Sequence, residues 1–458
     1  MRAKTFAFST LGVAALLATM TWTISAETVE EVEAAKRAKA VAEERAKADA
    51  NEEARRRDMD EAQRKTDLVG KQPDNRPLFK VYEWGAETWS WTGKAQPADD
   101  IPSFYYRADQ IELAELRVAE PAARPKPVAP DPGGGMDKKP VLYFDCDDDV
   151  KFGLQVQFIA GEPTYLYPKA NRRPDARTLQ WDEIQLHSTR TTKPGNFLAP
   201  SLKDVKEDHW ASFSRKGSTS SLVVNGEHEN FIFYEGTNKS LPEVDIFMNE
   251  DGHYVVRNYT PWPIYNLRWT FSTPSMNGDS RLCAREVPAA KGDSPSELVL
   301  KAGENGVTEL EVEIRGEKQA DLATESSGAG LTSAQAEAFA RAWHSDITGA
   351  PEGTLSYRRD AAQLDALMRL TVTLPSDANL NTKIARVGYV VVTGIDLGRQ
   401  AELDGLAANA ANADKDAAAK LLKEGMAGIG AVRRAMADKN SGLKQRMNLA
   451  KVLQQFNK

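Results

Sequence analysis

Two cysteines in 458 residues are too few for a disulfide framework. The five histidines, His187, His209, His228, His253 and His344, are scattered and form no H-x-H or H-E-x-x-H pair. Zinc hydrolysis therefore has no ligand set legible in the sequence. Charge of one sign is lacking too, with 59 Lys+Arg against 66 Asp+Glu and a net charge of −7. That balance excludes a chain that coats nucleic acid by neutralising phosphates, so no nucleic-acid partner is expected. No G-x-S-x-G elbow is present, and no G-x-x-x-x-G-K-[ST] or G-x-G-x-x-G follows a strand pattern. Nucleotide chemistry and the α/β-hydrolase elbow are disfavoured on that ground. Beyond Ile24 no run is apolar enough to cross a bilayer.

The chain is nevertheless 41% hydrophobic and 27% charged, which is apolar enough for real cores. Its first 26 residues carry Arg2 and Lys4, an uncharged run from Phe6 to Met20, and Ile24-Ser25-Ala26 before an acidic stretch. This is the three-part pattern of a secretory signal peptide, and cleavage after Ala26 is expected. The competing reading is an uncleaved anchor, because the uncharged stretch extends to Ile24, although Thr19, Thr21 and Thr23 weaken it. Both readings place the remainder outside the cytoplasm, in the periplasm, at the cell surface or secreted. Residues 27–76 read as a charged helical tether: Glu27 to Thr66 holds 12 acidic residues, 10 basic residues and 10 alanines. Heptad-spaced apolar residues are missing, so a coiled-coil arm is the weaker reading.

Residues 77–118 change character, with Phe79, Tyr82, Trp84, Trp89, Trp91, Phe104, Tyr105 and Tyr106 close together. Val81 to Trp84 and Thr88 to Trp91 read as two short strands separated at Gly85, their aromatics more often core than ligand platform. Five prolines and Gly133-Gly134-Gly135 make 119–139 a linker. Across 140–316 short alternating or apolar runs recur between turn residues, with no helix between them, which argues for a β-sandwich domain. Residues 317–330 are Ser/Gly/Ala-rich and read as a loop. Within 331–400 a helix starts at Thr332 or Ser333, placing Phe339 and Trp343 on one face, and strands follow. From Ala401 the chain is Ala-rich and helical: Leu422, Met426, Ile429 and Met436 line one face of a first stretch interrupted near Gly425, Gly428 and Gly430, and Leu449, Val452, Leu453 and Phe456 line one face of the last, making an αα-hairpin that turns at Asp438 to Gly442. Its 10 basic and 6 acidic residues give +4, opposite in sign to the whole, which reads as a docking patch on 401–458 for an envelope protein or polymer, or at least as well as a solvated helix face. The expected fold is mainly β with helical appendages: an antiparallel β-sandwich-type body, one or two sandwiches, with an N-terminal charged helix and the C-terminal hairpin.

Chemistry has few candidates. Asp145, Asp147 and Asp149 follow a strand at alternate positions and could share a face around Ca²⁺, although Val150 and Val156 stand where an EF-hand loop needs Gly and Glu. A solvated acidic turn is the competing reading, and no other cofactor is expected. Cys146 and Cys283 are candidates for a disulfide in an oxidising compartment, and equally for two unrelated thiols. Asp145, Asp147 and Glu229 would be the acids of a secreted hydrolase acting on polysaccharide or peptide, a chemistry that leaves little sequence trace.

Tyr82-Glu83-Trp84-Gly85, Ile101 to Phe104, Pro140 to Phe144, Tyr167-Pro168, Trp181, His209-Trp210 and Glu229 to Gly236 occur in that order. Together with Trp343, Leu355-Ser356-Tyr357 and Arg386-Val387-Gly388 to Val392, they resemble a group of uncharacterised secreted proteins of planctomycetes and myxobacteria-like bacteria, over most of residues 78–395. The resemblance implies a secreted origin and carries no activity; Tyr or Ser often stands at the place of Cys146 in that group, against a shared disulfide. Leu421-Leu422, Gly425, Val432 to Met436 and Leu449 to Leu453 are similar to one HEAT-like repeat, and one copy cannot stack into a solenoid. The expected role is non-catalytic binding or envelope organisation, with the secreted hydrolase as the alternative.

Overall fold

In the computed structural model, the pleat of a single long strand sorts the protein into its cores. Residues 76–92, 104–113, 135–159, 161–188, 209–218, 220–238, 241–272, 279–292, 294–300 and 319–456 are described. The signal peptide, nearly all of the charged tether, most of the linker and the last residues of the expected 140–316 β domain lie outside them. Three sheets are present among the described residues. The largest has nine strands in the order β13 (Asp279–Val287), β12 (Ile264–Ser272), β15 (Thr354–Arg359), β17 (Asn381–Thr393), β1 (Leu78–Ser90), β3 (Gly135–Asp145), β9 (Ile232–Asn238), β5 (Gly161–Tyr167) and β2 (Tyr106–Arg107). The second runs β16 (Met368–Thr373), β4 (Val150–Phe158), β6 (Thr178–His187), β7 (Ser221–Val224) and β8 (Glu227–Glu229). The third is β10 (Val244–Met248), β11 (Tyr254–Asn258) and β14 (Ser296–Leu300). Pairing is antiparallel except for β1 with β17, which run parallel in register from Leu78 with Asn381 to Ser90 with Thr393. The fold is mainly β, as expected, with large antiparallel sheets and helices gathered toward the C-terminus.

Successive side chains on a strand point to opposite faces, and β1 uses both. Phe79 and Val81 join a core with Phe152, Leu154, Val156, Trp181 and Ile184 of the five-stranded sheet. On the same phase but at the other end, Trp89 and Trp91 join a second core with the three-stranded sheet and the C-terminal helices. The opposite phase, Tyr82, Trp84 and Ala86, packs under α1 (Trp210–Ser214) and the pair α2 (Gln319–Gly328) and α3 (Ser333–Trp343). The β1 aromatics are thus core, each such side chain contributing about 1.5–3 kcal/mol by leaving water.

Several expectations need correction. Val81 to Trp84 and Thr88 to Ser90 belong to one unbroken strand, with Trp91 just past its end; Gly85 only faces a shift in the β1–β3 register, and a Cβ there would lie 3.0 Å from Pro140 Cα. Residues 135–139, expected in the linker, pair as the start of β3. The expected loop at 317–330 is mostly α2, where Leu322 is buried and Ser326 returns its hydroxyl to the Leu322 carbonyl. The nine-stranded sheet takes strands from the 77–118, 140–316 and 331–400 segments alike, so those boundaries do not separate cores. The C-terminal hairpin is instead four helices: α5 (Gln400–Ala411), α6 (Lys415–Leu422), α7 (Gly425–Ala437) and α8 (Leu443–Phe456), with α4 (Ala361–Leu367) lying earlier, before β16. Gly425, at φ +54, separates α6 from α7, while Gly428 and Gly430 lie inside α7 without breaking it. A Cβ at Gly428 would lie 2.2 Å from the Leu421 carbonyl oxygen, so glycine there lets the two helices touch.

The Cys146–Cys283 disulfide is absent. Cys283 pairs with Arg268, Arg268 with Ser356, Ser356 with Val391 and Val391 with Thr88, whereas Cys146 follows Asp145, the partner of Lys80. From Thr88 to Lys80 along β1 is about 26 Å of strand, against a Cα separation of about 7 Å that a bridge tolerates.

Candidate functional site

The expected acids are engaged with different partners. Asp145 ends β3 and pairs with Lys80 at 3.3 Å. Asp149 meets Nδ1 of His187 at 3.0 Å and accepts from the backbone N–H of Ser188 at 2.9 Å. The Asp147 carbonyl accepts from the Ser188 hydroxyl. These bonds tie the 145–149 turn to the end of β6, and among the described residues no group of three His, Cys, Asp or Glu side chains is placed to hold a metal ion. The expected Ca²⁺ cluster is therefore not formed. Glu229 is buried on β8, where the Arg215 guanidinium grips it with Nε at 2.9 Å and Nη2 at 2.5 Å. Burial pushes its carboxyl above the usual range against the pull of Arg215 and the Asn230 N–H.

Two other places gather polar groups. The first is a charged waist on β1, between the two cores that share one face of the long sheet. Glu83 bonds Arg386 and Tyr234, and Arg386 Nη1 reaches Asp365 and the Met368 carbonyl, each at 2.7 Å. Glu87 pairs with Arg359 at 2.7 Å and accepts from Trp89 Nε1 at 2.6 Å and Asn238 Nδ2 at 2.9 Å. Gly85 and Gly388 leave a cavity of about 40 Å³ beneath Leu364 and Leu367. That is room for about three waters, too little for a substrate. Each carboxylate is already matched by a guanidinium, so the waist reads as interior structure. Its signal in the sequence was two glutamates in phase with the buried Val81 and Trp89.

The second place is the open face of the five-stranded sheet. β4 buries Phe152, Leu154, Val156 and Phe158 and turns Lys151, Gly153, Gln155 and Gln157 outward. Phe152 pairs with Ile184 but Leu154 with Trp181, so Asp182 and Glu183 together oppose Gly153. This bulge turns both carboxylates to solvent. A Cβ on Gly153 would lie 3.3 Å from the Asp182 carbonyl oxygen, and its absence leaves the floor of a groove of about 310 Å³. Gln155, Gln180 and Thr373 line it above Trp181, and Leu374-Pro375 close one side. Several polar groups around it are bonded: Lys151 to Glu183 at 2.8 Å, Gln180 Nε2 to Asp182 at 2.8 Å, and Arg172 to Asp182 at 3.0 Å.

The volume falls at the small end of the range for ligand sites, about 300–1,000 Å³. Amides that both donate and accept, beside carboxylates and an ammonium, suit a neutral ligand rich in hydroxyl groups. None of Asp145, Asp147 and Glu229 lines it. The sequence signal for this groove was Asp182-Glu183 interrupting the alternation of β6, which the strand assignment passed over. No family model matches the chain, and no curated protein matches it.

Proposed function

We propose that the protein is a non-catalytic binding component of the cell envelope, acting outside the cytoplasm, and that it holds a hydroxyl-rich polymer such as a polysaccharide in the groove over Gly153. The observation that carries this reading is the set of amide, hydroxyl and carboxylate side chains on one sheet face, where Gln180 is bonded to Asp182 and Lys151 to Glu183. Preorganised donors lose little on binding, which lets a shallow site retain a polar ligand. The secretion-type N-terminus supports the location. Of the acids of the hydrolase alternative, Asp145 is matched by Lys80 and Glu229 is sealed against Arg215.

Affinity electrophoresis through gels containing soluble polysaccharides tests the reading. The protein should be retarded by at least one of them, and Gln155→Ala/Gln180→Ala should weaken the retention about tenfold, the worth of one or two hydrogen bonds, with an unchanged circular dichroism spectrum. Equal retention of parent and variant, or retention by no polymer, would overturn it. Release of reducing sugar during the run would favour the hydrolase instead.

A further inference from the structure

Leu443 and Met447 are the two most exposed large hydrophobic side chains among the described residues, at 78% and 54%, and they stand one turn apart on α8. The opposite side of this helix is spoken for: Leu449 and Val452 are buried in the core shared with α5, α6 and α7. At 3.6 residues per turn, Leu443, Met447 and Ala450 fall on one outward stripe, with Lys444 and Lys451 along one side and Arg446 along the other. Lys444, Arg446 and Lys451 are exposed. From Lys439 to Lys458 the sequence has five basic residues and no acidic one. The nearest acid in sequence, Asp438, spends its carboxylate on the Asn440 N–H.

We infer that α8 docks the protein on an anionic phospholipid surface, Leu443 and Met447 entering the boundary between headgroups and acyl chains while the flanking cations meet lipid phosphates. This goes beyond the polymer-binding reading and uses a different part of the molecule. Charge complementarity names the surface: an apolar ridge between rows of cations is the arrangement of an interfacial helix. The size of the ridge argues against a protein partner, because two side chains fall well short of the roughly 800 Å² that each side of a stable protein interface buries. Among the described residues no helix is long and apolar enough to cross a membrane, so α8 would lie on the surface.

Co-sedimentation with vesicles tests this, using the chain from Glu27, which contains the whole compact unit from Arg76 to Lys458 and leaves out the N-terminal apolar run. The parent should sediment with mixed phosphatidylglycerol/phosphatidylcholine vesicles and stay in solution with phosphatidylcholine alone. Leu443→Ser/Met447→Ser and Lys444→Glu/Lys451→Glu should each weaken sedimentation about tenfold, and salt should weaken that of the parent. All four positions are exposed, so both variants should keep the parental circular dichroism spectrum and melting temperature. A parent that ignores the mixed vesicles, or variants that bind them as the parent does, would overturn the inference. Binding to soluble polyglutamate that is indifferent to Leu443→Ser/Met447→Ser would overturn it in favour of an acidic polymer. Gln155→Ala/Gln180→Ala should sediment like the parent, so loss of polysaccharide retention and loss of vesicle binding are separate outcomes.

Discussion

Glu87→Ala should lower the free energy of unfolding by about 3–5 kcal/mol, although Glu87 touches no groove and faces no ligand. The carboxylate is 4% exposed, and its removal takes from the equally buried Arg359 a partner at 2.7 Å. Trp89 Nε1 and Asn238 Nδ2 lose the same acceptor. The loss measures an abandoned buried charge rather than the worth of the pair. Burial pushes the Glu87 carboxyl above the usual range even with Arg359 pulling the other way, so the site pays for desolvation more than the pairing returns. Glu87→Met/Arg359→Met should therefore recover most of the deficit, since matched apolar replacements of buried ion pairs are commonly neutral or stabilising. Urea midpoints at unchanged slope would measure both variants. A double variant no more stable than Glu87→Ala would show the pair itself to be a net stabiliser.

The same shift fixes a sign with pH. With a raised carboxyl the folded state keeps its proton longer than the unfolded chain, so the folded state binds more protons between the two values. This contribution to stability is fully present below the unfolded carboxylate value of about 4.3 and is lost as pH rises through the folded one. Measured against Glu87→Met/Arg359→Met, the parent should lose relative stability as pH climbs from the acid side toward neutral. A difference that stays flat or rises would contradict the raised carboxyl.

Local rules made much of this architecture legible, and distance in the chain hid the rest. The alternation of Phe152, Leu154, Val156 and Phe158 announces β4, and all four are core. Thr332 caps α3 as expected, its hydroxyl accepting from the Gln335 N–H while Gln335 answers on the Thr332 N–H, and Phe339 and Trp343 are buried. Asp360 caps α4 by accepting from the Ala362 N–H, without a return bond. What no window of sequence contains is the parallel pairing of β1 with β17 or the bond from Glu83 to Arg386, 303 residues away. The groove fell between these cases. Its polar residues are close in sequence, but they meet only because a bulge at Asp182-Glu183 breaks the alternation and because β16 arrives from far along the chain to bring Thr373 beside Gly153. The split near Gly425 is legible in the sequence, where Gly425, Gly428 and Gly430 interrupt the helical stretch, but which of the three takes a positive φ is not.

Arg434→Ala should have an effect of similar size, about 3–5 kcal/mol, with a different distribution through the molecule. Arg434 lies on α7 and sends Nη1 to Asp245 of β10 at 2.8 Å and Nη2 to Asp404 of α5 at 2.8 Å, with its guanidinium 5.6 Å from the centre of the Phe247 ring. One planar fork thus ties two helices to the three-stranded sheet. Asp245 is buried, and a Cβ at Gly430, one turn earlier on α7, would lie 2.6 Å from its Oδ1, so the helix is close against the carboxylate. Truncation leaves the buried Asp245 without that cation. Arg434→Lys should recover only part of the loss, because an ammonium is a point charge and cannot span both carboxylates in the geometry of the fork. The damage should be local first: hydrogen exchange should rise in residues 400–456 and in β10 while β4 and β6, which belong to the other core, keep their protection. Uniform loss of protection across all three sheets would show instead that the two cores on the long sheet unfold as one unit, with the charged waist binding rather than separating them.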